Sequence, residues 1–196
     1  MNKEIEVSAI IPITERHDSI GELHSAYRDA LRESGRVHEF IYVLDGEFPD
    51  AFDMLSEIAA KEENVRLIKF ARWFGEATAL TAGFENSSGD VLLTLPADLH
   101  VDSREIPRFL YALGNNDMVV ARREPRKDPG INRLQSRVFH WMIGLAGGLS
   151  FKDLGCSVRA LKRSVFEEIP IYGDQHRFLP LLANRYGFRV EEIDMA

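Results

Sequence analysis

The chain has 196 residues, 45% of them hydrophobic and 28% charged, with 31 acidic against 24 basic side chains and a net charge of -7. That balance excludes a general nucleic-acid binder, which requires a basic footprint, and the one cysteine, Cys156, excludes an internal disulfide and fits a reducing compartment. The N-terminal MNKEIEVSAIIPI lacks the apolar length and cleavage site of a signal peptide. No apolar run reaches the roughly 18 residues of a spanning helix; VFHWMIGLAGGLSF (138–151) is short and interrupted by His140. A single cytoplasmic domain over 1–196 is expected.

Strand-length apolar runs alternate with segments of helical period, which predicts an α/β fold around a mainly parallel sheet. EVSAIIPI (6–13) is the first strand. Ser19 and Glu22 have the spacing of a capping box before a helix carrying Ile20, Leu23, Tyr27 and Leu31, and Gly35 follows its end. FIYVL (40–44) is a second buried strand closing on Asp45-Gly46, a helix starts near Asp50, and VRLIKF (65–70) is the third strand. The small-residue helix GEATALTAGFENS (75–87) suits close packing under a sheet, and VLLTL (91–95) is the fourth strand. Asp102 and Glu105 repeat the capping spacing before a helix through Leu110 and Leu113; DMVVAR (117–122) is a strand. A basic Pro/Gly-broken segment, an amphipathic stretch at 131–146, two short helices and a last strand near RVEEI complete the chain.

Open α/β sheets bind ligands beyond the carboxyl ends of their strands. Those ends carry Thr14-Glu15-Arg16, Asp45-Gly46, Arg72, Asp98 with His100, and Arg122-Arg123. Acids mixed with arginines suit a phosphorylated ligand that also brings a divalent cation. No G-x-G-x-x-G follows the first strand and no Walker A sequence occurs, so neither large nucleotide-motif class is supported. Taken singly, Asp98 also reads as a turn former, Asp45-Gly46 as a turn dipeptide, Arg72 as a surface arginine and Cys156 as a packing residue.

VSAIIPITER, FIYVLDGE, LIKFARWFGEATALTAGFENSSGDVLLTLPADLH, DLGCSVRALKR and HRFLPLLANRYGFRVEEI stand in an order and spacing that resemble family-2 glycosyltransferases, in particular the polyprenyl-phosphate, dolichol-phosphate mannosyltransferase-like branch. The resemblance spans nearly the whole chain, and the run from Phe70 to His100 is its specific part. It implies a three-layer nucleotide-diphospho-sugar transferase fold of the GT-A type, and an inverting transfer from a UDP- or GDP-linked sugar to a polyprenyl phosphate. It further implies a donor side of Pro12, Thr14, Glu15, Asp45, Arg72, Ala97 and Asp98. Arg122, Arg123, Arg133, Arg159 and Arg177 would face the acceptor, and Asp153 would orient it or act as base. Members of the branch often continue past the final strand, whereas this sequence stops at IDMA.

The sequence departs from the family at three positions. Pro96 stands where the first acid of an Asp-x-Asp motif is expected, Leu44 replaces one of two adjacent acids, and Arg16 replaces a Glu. The motif normally holds Mg²⁺ or Mn²⁺; here Asp98 and His100 are its candidate ligands, for a weakened cation site or none. Mg²⁺ manages with one or two carboxylates plus phosphates, and imidazole shifts the preference toward Mn²⁺. Between Arg122 and Arg137 six basic residues face two acids, just before Phe139, Trp141 and Met142. Such a run is either a solvated loop or a seat on an anionic membrane surface, the inner face in this case. Two rival functions stay open: a catalytically silent nucleotide-sugar or partner binder on the same fold, and a soluble transferase to a saccharide or other small acceptor.

Overall fold

The computed structural model describes residues 4–99, 101–123, 151, 156–170 and 173–195. In chain order the strands are β1 (Val7–Ile13), β2 (His38–Leu44), β3 (Val65–Lys69), β4 (Val91–Thr94), β5 (Met118–Arg123), β6 (Arg159–Lys162) and β7 (Val190–Met195). The helices are α1 (Ile20–Glu33), α2 (Pro49–Ala59), α3 (Glu76–Glu85), α4 (Ile106–Leu113), α5 (Arg163–Glu168) and α6 (Leu179–Arg185), with 3₁₀ turns at Ser103–Glu105 and Gly173–Phe178. Among the described residues no helix is long and apolar enough to cross a membrane.

The strands form one sheet of order β3-β2-β1-β4-β6-β5-β7. Every neighbouring pair is parallel except those made by β6, which runs antiparallel to both β4 and β5. Strands covered on both faces read as continuous apolar runs, and β1 and β2 are buried almost throughout. Alternate residues serve the two faces: Ala9, Ile11 and Tyr42 pack with α1, α2 and α4, whereas Ile10, Ile41 and Val43 pack with α3, α5 and α6. The three-layer α/β architecture expected from the sequence is the one observed.

One local expectation changes and one strand is new. Ser19 is the N-cap of α1, but its hydroxyl makes no capping bond; only its carbonyl accepts, from Leu23 N–H at 2.9 Å. Asp102 does cap, accepting from Arg104 N–H at 3.0 Å at the 3₁₀ turn that leads into α4. Gly35 ends α1 with φ of 71°, a conformation that favours glycine. The strand β6 is not anticipated, because four residues with basic side chains at both ends show neither alternation nor a long apolar run.

The β5–β6–β7 corner is tied by Asp117. Its carboxylate accepts from the backbone N–H of Arg189 and from Lys162 Nζ, both at 2.9 Å. The backbone bond from Arg189, followed by the Lys162 bond, lowers the Asp117 pKa from 3.8 to about 2. A depressed carboxyl stabilises the fold fully above its unfolded value and loses that contribution as pH falls through its folded value. Urea midpoints of wild type and Asp117→Asn should therefore differ most above about pH 4 and converge toward pH 2.

Close packing of α3 on β1 depends on Gly83, where an added Cβ would lie 2.4 Å from Ile10 Cγ2. Ile10 is fully buried and β-branched, so it has little room to turn aside. Gly83→Ala should lower unfolding free energy by about 1–3 kcal/mol in denaturant titrations, despite alanine's better helix propensity.

Candidate active site

The sheet's topology reverses at β1: the chain steps outward through β2 and β3, then crosses to β4 on the other side. Such a switch point leaves a crevice beyond the carboxyl ends of the diverging strands. β1 and β4 pair only over Val7–Ile10 and Val91–Thr94, while β1 continues along β2 to Ile13. Leu95 N–H still reaches the Ile10 carbonyl at 3.0 Å, and Asp45 N–H reaches the Ile13 carbonyl at 2.9 Å on the opposite side. Pro12, two residues past Ile10, thus faces the side that β4 has left, where its missing N–H disrupts no ladder bond.

The gap is a cleft of about 160 Å³. Pro12 and Thr14–Arg16 line it from β1, Pro96–Asp98 from β4, and Glu76 and Ser157 complete it. The segment Pro96–Leu99 is held by α1 and the residues before it. The Tyr27 hydroxyl donates to the carbonyls of Pro96 at 3.0 Å and Asp98 at 3.3 Å. Asp18 accepts from Leu99 N–H at 2.7 Å, and its own N–H donates to the Ala97 carbonyl at 3.0 Å. Tyr27 is 1% exposed. Burial pushes its pKa far up, and the charges of Asp98 and Asp18 push it further, so the hydroxyl remains a donor. On the other side, Thr94 Oγ1 donates to the Ser157 carbonyl at 2.5 Å.

A second cavity of about 310 Å³ adjoins the first through the shared residues Thr14, Glu15 and Glu76. Its wall is the turn Trp73–Gly75, the start of α3, and His176 with Arg177. Asp45, 1% exposed, sets this turn. Its two carboxylate oxygens accept from Phe74 N–H at 2.6 Å and Gly75 N–H at 2.7 Å. Gly75, at φ of 98°, makes the tight entry to α3 possible. His176 Nε2 lies 3.1 Å from Glu76 Oε2, and Arg159 donates to the His176 carbonyl at 2.5 Å. Burial alone would raise the Glu76 pKa; the His176 hydrogen bond and the charges of His176, Arg159 and Arg177 outweigh it, and the net direction is down.

Of the residues singled out in the sequence, Pro12, Thr14, Glu15, Ala97 and Asp98 come together in the first cleft, and Arg177 in the second. Asp45 is a buried support whose carboxylate is turned to backbone. Arg72 lies outside both linings, its guanidinium 5.1 Å from the Phe74 ring centre. Arg122 pairs with Asp194 at the end of β5, and Arg123 is the last residue of that strand. Arg159 is 4% exposed beneath the His176 turn. His100, Arg133, Asp153 and the amphipathic stretch 131–146 lie outside the described residues. Sequence reading does not reach Tyr27, Asp18, Ser157 or Glu76. Glu76 had a usable signal, since it follows a strand end and opens a helix; Tyr27 had none, because it sits on the apolar stripe of α1 like any core residue.

The sequence model of glycosyl transferase family 2 matches residues 8–170. The chain belongs to that family. Curated relatives include the undecaprenyl-phosphate 4-deoxy-4-formamido-L-arabinose transferases of Pectobacterium carotovorum subsp. carotovorum (strain PC1), 33% identical over 191 residues, and of Proteus mirabilis (strain HI4320), 33% identical over 193 residues. The alignments cover 96% and 97% of this chain but only 58% and 59% of those proteins. The chain thus spans a little over half the length of the curated relatives it matches. Among solved structures, the mannosyltransferase PcManGT from Pyrobaculum calidifontis, in complex with GDP-Man and Mn²⁺, superposes with a TM-score of 0.69 at 14% identity, over 99% of this chain and 57% of that one. Glucosyl-3-phosphoglycerate synthase from Mycobacterium tuberculosis, in complex with phosphoglyceric acid, gives 0.74 at 16% identity, over 97% and 70%. These likenesses establish the GT-A fold.

Tyr27 holds both ends of the Pro96–Asp98 turn with one hydroxyl. Tyr27→Phe removes the donor and leaves two partly buried carbonyls seeking water, so unfolding free energy should fall by about 1–2 kcal/mol. Hydrogen exchange at the Leu99 amide, bonded to Asp18 in the same turn, should accelerate in parallel.

Proposed function

We propose that this chain is the donor-binding and catalytic part of an inverting transferase that passes a sugar from a nucleotide-diphospho-sugar to a polyprenyl phosphate. The observation that carries the reading is the cleft at the β1/β4 switch point, with Asp98 in its wall, in a chain of family 2. The curated relatives, named for a polyprenyl-phosphate acceptor, support the acceptor class.

In this reading an oxygen of the acceptor phosphate attacks the anomeric carbon, the bond from that carbon to the diphosphate oxygen breaks, and the nucleoside diphosphate departs. The acceptor phosphate is already ionised near neutral pH, so no base is required and Asp153 would serve position. Thr14, Glu15 and Ala97 bound the diphosphate cleft. Arg177, in the adjoining cavity, and Arg122, Arg123 and Arg133, along the basic run, supply the guanidinium forks that suit phosphate oxygens. The charge of that run and the aromatic residues after it favour a seat against an anionic bilayer on the cytoplasmic side.

The donor set fits a divalent cation held largely by the diphosphate. Among the described residues no group of three or more metal-ligating side chains occurs, and Pro96 offers no side-chain ligand. One carboxylate plus phosphate oxygens and water is nonetheless an arrangement Mg²⁺ accepts. Asp98 would be the protein ligand, with His100 beside it in sequence, and the cation when bound neutralises charge developing on the leaving diphosphate.

Transfer is tested by incubating the chain with UDP- and GDP-sugars, Mg²⁺ or Mn²⁺, and undecaprenyl phosphate in detergent, with products read by mass spectrometry. Asp98→Asn should lower turnover about a hundredfold, the scale of losing one leaving-group contact. Unchanged turnover would remove Asp98 from the mechanism. Donor binding without any transfer would favour the catalytically silent reading.

A further inference from the structure

Glu76 is the one carboxylate shared by the linings of both cavities apart from Glu15, and it is the one clamped by a histidine from 100 residues away. His176 is 4% exposed and fixed through its backbone carbonyl by Arg159. With Glu76 ionised, His176 Nε2 carries a hydrogen and donates a hydrogen bond to Oε2. No hydrogen bond from the described residues reaches the second oxygen, Oε1, and the side chain keeps 30% of its surface open toward the cleft.

An ionised carboxylate only accepts hydrogen bonds. Beside a diphosphate, whose oxygens also only accept, it is repulsive unless a cation lies between them, the part the transferase reading gives to Asp98. The two groups that flank the diphosphate are different, since the hydroxyls of the glycosyl ring and of the ribose, and any amide N–H, are donors. Either group stands covalently next to the diphosphate, as the larger cavity is next to the cleft holding Asp98, and comparing bare nucleotide with conjugate separates them. That cavity adds the exposed indole of Trp73, 66% exposed, as an apolar surface for the C–H face of a pyranose ring.

We propose that Glu76, oriented by His176, is the residue that recognises the transferred sugar, accepting hydrogen bonds from its ring hydroxyl or N–H groups at Oε1. The inference rests on the transferase reading above. It makes His176 a positioning residue that acts through Glu76.

The test compares bare nucleoside diphosphates with their sugar conjugates, by calorimetry with Mn²⁺ present, using UDP, GDP, UDP-glucose, GDP-mannose and a wider panel of UDP- and GDP-sugars. Glu76→Ala should weaken at least one conjugate about tenfold or more, the effect of one charge-assisted hydrogen bond. Its affinity for the matching bare nucleotide should stay within about twofold, which also shows that the variant is folded. His176→Ala should lose part of the same increment, and His176→Gln, which keeps an N–H donor, should restore it. Equal loss for bare nucleotide and conjugate, or no loss for any sugar, overturns the assignment while leaving the transferase reading intact. A wild-type chain that binds neither nucleotide nor conjugate overturns both.

Discussion

The site exists because the β1–β4 ladder ends at Ile10 and Thr94, where β4 ends, while β1 runs on along β2 to Ile13. Parted strands expose peptide groups that must find other partners, and here α1 and the residues just before it supply them. The Tyr27 hydroxyl and both the amide and carboxylate of Asp18 together bind four groups of the Pro96–Leu99 turn. The crevice is therefore a rigid consequence of sheet topology, maintained by a helix on one face of the sheet. Its opposite wall is contributed by α3, which packs on the other face.

Pro96 and Asp45 are informative in that setting. Pro96 offers no side-chain ligand, yet its carbonyl accepts from Tyr27, which fixes the backbone path of the turn. Asp45 shows the reverse relation. Its side chain is of the type expected to meet ligand, yet both oxygens hold backbone amides of the Trp73–Gly75 turn. The residue shapes the second cavity from below, and the carboxylates in that cavity's lining are Glu15 and Glu76. Chemistry and scaffolding have been distributed over neighbouring acids, which sequence position alone does not separate.

Much of the fold was legible because buried parallel strands and amphipathic helices carry distinct periods. β1 to β5, β7 and the helices α1 to α4 follow from apolar runs and stripes, and the strand ends located the rim. β6 escaped because a four-residue strand between two buried neighbours has no pattern of its own; its place is dictated by the edges of β4 and β5. For the site, residues adjacent in sequence to strand ends, such as Thr14, Glu15 and Asp98, were readable. Partners brought from afar were not. Glu76 with His176, and Tyr27 with Pro96, meet only after the layers assemble, and each looks locally like a first-turn acid, a helix-flanking histidine or a core aromatic.

The antiparallel β6 has a bearing on how the molecule comes together. A chain emerging as far as Arg123 can form β1 to β4, but the strand that belongs beside β4 has not yet been made. The central edge of the sheet must wait for Arg159–Lys162, and only then does β5 gain its inner neighbour. β6 thus joins the β3-β2-β1-β4 part of the sheet to the β5-β7 part, by a long-range closure that is slow compared with local pairing. During synthesis an edge open to unwanted strand addition is the same β4 edge whose far end shapes the cleft. Early folding hazard and mature function therefore share one strand.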